Sequence, residues 1–97
     1  MQGYQMSRGG NGPGGTTSVN ATIADAASHA VVLIEPANRV LISNYSNNLL
    51  YLSLYGPASS NNYAIPPTST FTYDGPAITG LFLNANGNSI NYGVFAV

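Results

Sequence analysis

From residue 31 onward the chain alternates between apolar and polar positions with a period of two. Val31-Val32-Leu33-Ile34 is a β-branched run closed by Glu35-Pro36-Ala37-Asn38, and Arg39-Val40-Leu41-Ile42-Ser43-Asn44 follows it. Two such runs joined by a short Pro-containing loop predict a hairpin. After the polar turn Asn44-Tyr45-Ser46-Asn47-Asn48, the segment Leu49 to Tyr55 places Leu50, Leu52 and Leu54 on one face and Tyr51, Ser53 and Tyr55 on the other. Gly56-Pro57 stops that strand. Tyr63-Ala64-Ile65 is a short strand ended by Pro66-Pro67. Thr68 to Asp74 alternates again up to a Gly75-Pro76 turn, Ile78 to Leu83 is apolar, and Asn86-Gly87 is a hairpin signal before Ile90, Tyr92, Val94 and Ala96. The expected core is Val32, Ile34, Val40, Ile42, Leu50, Leu52, Leu54, Ile65, Phe71, Leu81, Leu83, Ile90 and Val94, to within one position of register. No helix is expected, and no internal repeat stands out. The fold class is all-β: an antiparallel β-sandwich, jelly-roll-like or a small barrel, of about six or seven strands.

The N-terminal stretch reads differently. Gly3, Gly9, Gly10, Gly12, Gly14 and Gly15 fall within residues 1–18, together with Pro13. Glycine loses more conformational freedom on ordering than any other residue, so this composition predicts an extended arm rather than a packed element. The division is an arm over 1–18 and a β-domain over 19–97, with 19–30 a strand or an extended connector. Tyr4, Met6 and Arg8 are the arm's candidate anchors.

Charge narrows the function classes. Charged residues make up 5% of the 97 residues, with two Arg, no Lys and a formal net charge of -1, against roughly 25% charged in an average domain. Two arginines cannot form the basic stripe that nucleic acid or an anionic membrane surface requires, so neither is an expected partner. No apolar run is long enough for a membrane-spanning helix. Cysteine is absent, which removes disulfides and thiolate chemistry. Hydrophilicity comes from Asn, Ser, Thr and Gly, which hydrogen-bond but repel nothing. A surface of this kind is suited to being covered by copies or partners.

Candidate chemistry is thin. Asp25, Ser28 and His29 are close in sequence, but a nucleophile, a base and its orienting acid must converge from a rigid scaffold, and a single Ala-rich segment does not supply that. Asp25, Glu35 and Asp74 sit at turns, too scattered for paired-carboxylate catalysis or a metal site. The glycine run lacks the lysine of a phosphate loop. No catalytic residue, cofactor or metal is expected. Tyr45, Tyr51 and Tyr55, opposite the leucines, suit a protein interface first; strands also favour tyrosine in their own right, and a sugar site where rings stack on pyranose faces comes third.

The order Arg39-Val40-Leu41-Ile42-Ser43-Asn44, Leu50-Tyr51-Leu52-Ser53-Leu54, Ala64-Ile65-Pro66-Pro67-Thr68-Ser69-Thr70-Phe71, Ala77-Ile78-Thr79-Gly80-Leu81-Phe82-Leu83 and Ile90-Asn91-Tyr92-Gly93-Val94 resembles small β-sandwich structural proteins of tailed bacteriophages, of the capsid decoration or cement type. Thr68 stands where that pattern has Gly after Pro-Pro. The resemblance implies a non-enzymatic virion protein on the capsid exterior. It would bind the major capsid protein at capsomer junctions and associate with its own copies, as a trimer, with Tyr4, Met6, Arg8, Tyr51 and Tyr55 as partner-binding residues. The alternative is a carbohydrate-binding or adhesion module on a phage tail or a cell surface.

Overall fold

A computed structural model describes residues 17–97; Tyr4, Met6 and Arg8 lie outside the described residues. The chain is all-β, with strands β1 Thr17–Ile23, β2 His29–Asn44, β3 Leu50–Ser53, β4 Tyr63–Ile65, β5 Thr70–Asn84 and β6 Ile90–Ala96. All pairings are antiparallel, in the order β1-β6-β2-β5-β3-β4. Thr17 and Ser18, which glycine content groups with the arm, belong to β1, paired with Ala96 and Phe95.

Two sequence expectations are corrected by the long strands. Glu35-Pro36-Ala37-Asn38 does not close a hairpin, and Gly75-Pro76 does not turn the chain. Each lies inside a continuous strand, β2 or β5, and the two face one another across the irregular part of the ladder between Val32↔Gly80 and Arg39↔Asp74. Proline cannot donate to a ladder and is tolerated at bulges. The two prolines fall in adjoining irregularities of the ladder, Pro36 on one side of the Ala37↔Ile78 pair and Pro76 on the other, and bend both strands. The Asn38 amide donates to the Gly75 carbonyl at 3.0 Å and ties the bend across the pair, while the Tyr73 hydroxyl donates to the Pro76 carbonyl at 2.5 Å within β5. The sheet folds over at this line, as in packings where strands switch sheets through bends.

The Asn86-Gly87 segment is likewise no hairpin. Both residues take positive φ, 52° and 88°, but β5 and β6 are not neighbours; the turn carries the chain from one half of the curled sheet to the other. The core lies between the halves. Leu50, Leu52, Ile65, Leu81 and Leu83 come from one, and Val40, Ile42, Ile90 and Val94 from the other, all buried. Leu54 and Phe71 are only partly buried. At the start of β2 the expected phase is inverted. Val31 and Leu33 are buried, while Val32 is 77% and Ile34 59% exposed. Four consecutive apolar residues carry no period-two information, and pairing of Val31 with Leu81 decides which face turns in.

A repeat is present after all. Exchanging β1 with β4, β6 with β3 and β2 with β5 returns the same strand order in reverse. The buried pair Ile23–Ile90 then corresponds to the buried pair Ile65–Leu50. Pro36-Ala37 recurs as Pro76-Ala77, Leu41 as Leu81, Asn44 as Asn84 and Asn48 as Asn88, at one constant spacing. Asn44 and Asn84 end the two long strands in the same manner. The Oδ1 of each accepts the backbone N–H two residues on, from Ser46 and Asn86, and each amide donates to carbonyls of neighbouring loops.

Thr68 adopts φ 57°, a region that β-branched residues rarely enter because Cβ crowds the following carbonyl. Its amide donates to the Ser46 carbonyl at 3.2 Å and holds it there. Thr68→Gly is expected to stabilise the domain by about 1 kcal/mol, the strain relieved exceeding the added chain entropy; urea unfolding checks this, and a loss of stability would contradict it.

Candidate functional site

β6 reaches only Val40–Asn44 of β2, and β5 pairs along the other edge. Among the described residues, no strand therefore pairs with the second edge of His29–Arg39. Two hydrogen bonds reach it: the Ile34 amide donates to Thr17 Oγ1 at 2.7 Å, and at its end the Arg39 carbonyl accepts the Val97 amide at 3.1 Å. On the outer face of this half, Val32 stands opposite Gly80 and Ala30 opposite Phe82. Because Gly80 has no side chain, the surface dips between its neighbours. The result is an apolar groove of about 410 Å³ lined by Ala30, Val32, Ile34, Leu54, Gly80 and Phe82, with Glu35 its one charged side chain. Such a groove takes an apolar side chain; it offers no convergent polar groups for chemistry.

A second surface is aromatic. The rings of Tyr63 on β4 and Phe71 on β5 lie 5.1 Å apart at 48°. Tyr55, 83% exposed, follows β3 and lies beside Tyr73 on β5. Desolvation first, then the Tyr55 hydroxyl and the Asp74 carboxylate, raise the Tyr73 hydroxyl above its ordinary range. It remains a proton donor to Pro76.

The structure separates the tyrosines that the alternation groups together. Tyr51 lies within β3 between Ala64 and Asn84. Tyr55 is past the end of that strand, on the aromatic seam. Tyr45 is on the other half, where its ring lies over Gly93 and fills the space left by the missing side chain.

Of the three residues that mimic a triad, Asp25 and His29 do meet, Oδ1 to Nε2 at 2.7 Å on the surface. That bond, the Ala27 amide on the same oxygen and the charge of His29 hold the Asp25 carboxyl below its ordinary range. Ser28 Oγ instead accepts the Ala58 amide at 2.8 Å. The dyad thus organises the β1–β2 turn, where Gly87 also donates to the Asp25 carbonyl. Among the described residues no three metal-ligating side chains gather, and no helix is long and apolar enough to cross a membrane.

The groove is the feature that sequence reading missed. Its signal was the unbroken run Val31–Ile34. Neighbouring strand residues point to opposite faces, so half of that run had to face outward.

Comparison with protein-family models, curated proteins and solved structures finds no match to this chain.

Proposed function

We propose that the chain is a non-enzymatic structural protein that works by spread-out protein contact, and that it serves as a cement protein on the exterior of a tailed-bacteriophage capsid. In this reading it binds the major capsid protein at capsomer junctions and associates with its own copies as a trimer. The observation that carries the contact role is the exposed apolar surface of Val32, Ile34, Tyr45, Tyr55, Tyr63 and Phe95 in a chain with five formally charged side chains. Covering such a surface releases water from apolar area at about 25 cal/mol per Å² and desolvates almost no ions, whose burial is costly. A standard interface takes about 800 Å² per partner, a small part of the 4840 Å² of exposed surface. The virion assignment is supported by the sequence resemblance. Its one departure, Thr68, falls where the backbone takes a conformation that glycine adopts without strain.

Mass spectrometry of purified particles made by the genome that encodes the chain tests this. The expected result is the chain at a fixed ratio to the coat subunit, and shells that open at lower temperature when its gene is deleted. Absence from the particles overturns the reading. The exposed rings of Tyr55 and Tyr63 favour the second reading, glycan binding; binding on a glycan array that Tyr55→Ala abolishes would establish it instead.

A further inference from the structure

We infer that the chain associates with a second copy of itself by exchanging repeats, the first repeat of each copy closing a β-domain with the second repeat of the other. The first repeat supplies β1, β2 and β3, the second β4, β5 and β6, and in the sheet order β1-β6-β2-β5-β3-β4 the two alternate without exception. Every antiparallel pairing therefore joins one repeat to the other, and among the described residues no strand pairs with a strand of its own repeat. The loops are tied in the same way. The Gly87 amide donates to the Asp25 carbonyl at 3.0 Å, the Thr68 amide to the Ser46 carbonyl at 3.2 Å, and Asn44 Nδ2 to the Ile65 carbonyl at 3.1 Å.

A repeat by itself thus has all its ladder hydrogen bonds unmade, and unpaired strand edges template pairing with another chain. The repeat that completes it in its own chain is chemically identical to the same repeat in a second copy. Exchange then makes the same bonds and buries the same core, which is the low-cost route from monomer to dimer. It goes beyond the capsid reading, which names association between copies but no route to it, and it needs no coat.

One connection decides which copy supplies the partner. The repeats are joined between Ser53 at the end of β3 and Tyr63 at the start of β4. Within that connection Ala58 is buried, its amide held by Ser28 Oγ at 2.8 Å and its carbonyl by Asn84 Nδ2 at 2.9 Å. The bond to Asn84 keeps Ala58 with the second repeat, so the hinge is residues 54–57. In the closed chain Gly56 takes φ 135°, with open space where a Cβ would stand. Glycine adopts that conformation freely, whereas a side chain there, followed by Pro57, is driven to extended backbone. An extended hinge needs no positive φ, and four residues reach about 13–14 Å, enough to set two rebuilt domains side by side. Closure within one chain has the advantage of an effective concentration in the millimolar range. Single chains therefore dominate in dilute solution, and the exchanged dimer gains when copies are crowded or when the hinge is denied its positive φ.

Thr22 on β1 and Asn91 on β6 are exposed register partners from different repeats, their side chains 2.6 Å apart. The chain has no cysteine, so Thr22→Cys with Asn91→Cys makes a reporter: its disulfide forms within one chain in the closed form and between two chains in the exchanged form. The full-length reporter is unfolded in urea, refolded at concentrations from micromolar to above millimolar, oxidised and run on a denaturing gel without reductant. A monomer band is expected at micromolar and a covalent dimer above millimolar concentration. Gly56→Val is expected to raise the dimerisation constant about a hundredfold, about tenfold for each of the two hinges. Gly87→Val is the control. Gly87 has φ 88° and equally open surroundings, but its turn lies within the second repeat and is the same in both forms, so the crossover concentration is expected to stay put. A dimer in solution that yields only monomer bands overturns the proposal in favour of docking between closed domains. Monomer bands throughout, in the reporter and in its Gly56→Val form, also overturn it, as does an equal shift by Gly87→Val or an equal dimer band from Thr22→Cys alone. None of these outcomes depends on a coat partner, so failure here and failure of the capsid reading are separate results.

Discussion

Replacing Asn44 with aspartate is expected to unfold most of the protein at neutral pH and to do far less harm in acid. Asn44 is 1% exposed. Its Nδ2 donates to the carbonyls of Asn48, Ile65 and Pro66 at 2.7, 3.1 and 3.3 Å, and its Oδ1 accepts the Ser46 amide at 3.0 Å. One side chain thus ties the end of β2 to its own turn and to the end of β4. Asn44→Ala removes the donor and leaves those carbonyls and the Ser46 amide without it, a loss of about 2–3 kcal/mol. Asn44→Asp does worse, because it sets a carboxylate oxygen against three carbonyl oxygens in a place water does not reach. An uncompensated buried charge costs about 3–5 kcal/mol, comparable to the whole stability of a small domain, about 5–15 kcal/mol. The protonated acid escapes most of this, so the folded-state pKa of Asp at this position is raised above its unfolded value of about 3.9. With a raised folded pKa, stability is greatest below the unfolded value and is lost as pH rises through the folded one. Urea unfolding of wild type, Asn44→Ala and Asn44→Asp at pH 4 and pH 7 checks this. A deficit of Asn44→Asp relative to Asn44→Ala that does not widen with pH would show that the carbonyl cage is not what the side chain serves.

The importance of Asn44 bears on what a reader of the sequence can see. The strand content was legible because Leu50, Leu52, Ile90 and Val94 alternate with polar residues, and alternation reports a half-buried strand directly. The connections were not. Pro36 and Pro76 each look like a turn in a local window, and only their place in adjoining irregularities of one ladder makes them a shared bend inside long strands. The same holds for Asn86-Gly87, whose backbone is turn-like but whose flanking strands pair with other partners. The repeat is hard to read from sequence for a related reason. What the two halves share is Pro-Ala, a leucine and two asparagines at matched positions, a sparse pattern whose meaning lies in bends and caps rather than in a dense run of identity.

The surfaces were legible only in outline. Sparse charge leads to the expectation of exposed uncharged surface, and Tyr55 and Tyr63 are exposed. Which apolar residues face out was beyond reach at Val31–Ile34, since a run without alternation fits either phase. Tyr51 and Tyr55 share a parity but not a surface, because β3 ends at Ser53 and the chain leaves the sheet between them.

Gly80 joins these threads, and Gly80→Ala is expected to destabilise the domain even though alanine is ordinarily the better strand residue. A Cβ at Gly80 would lie 2.7 Å from the Val31 carbonyl oxygen. That oxygen is backbone in a paired strand and has nowhere to move without pulling Val31 off Leu81. The gain from replacing a strand glycine is about 0.5–1 kcal/mol. Forcing a backbone shift in a packed region costs about 1–3 kcal/mol, so the clash wins. For a domain of this size each kcal/mol lowers the melting temperature by roughly 4–8 °C, which a thermal melt resolves easily. Gly93→Ala is the control, since the atoms met by its Cβ are the side-chain ends of Asn20 and Tyr45, which can swing aside. A melting temperature for Gly80→Ala equal to or above that of Gly93→Ala would mean that β2 and β5 are not held as close at this point as the groove requires. The added methyl also raises the groove floor, so Gly80→Ala is expected to weaken apolar contact there under conditions where the protein is still folded. Stability and docking then fall together at Gly80 and separately at Val32, where a change on the exposed face leaves the core intact.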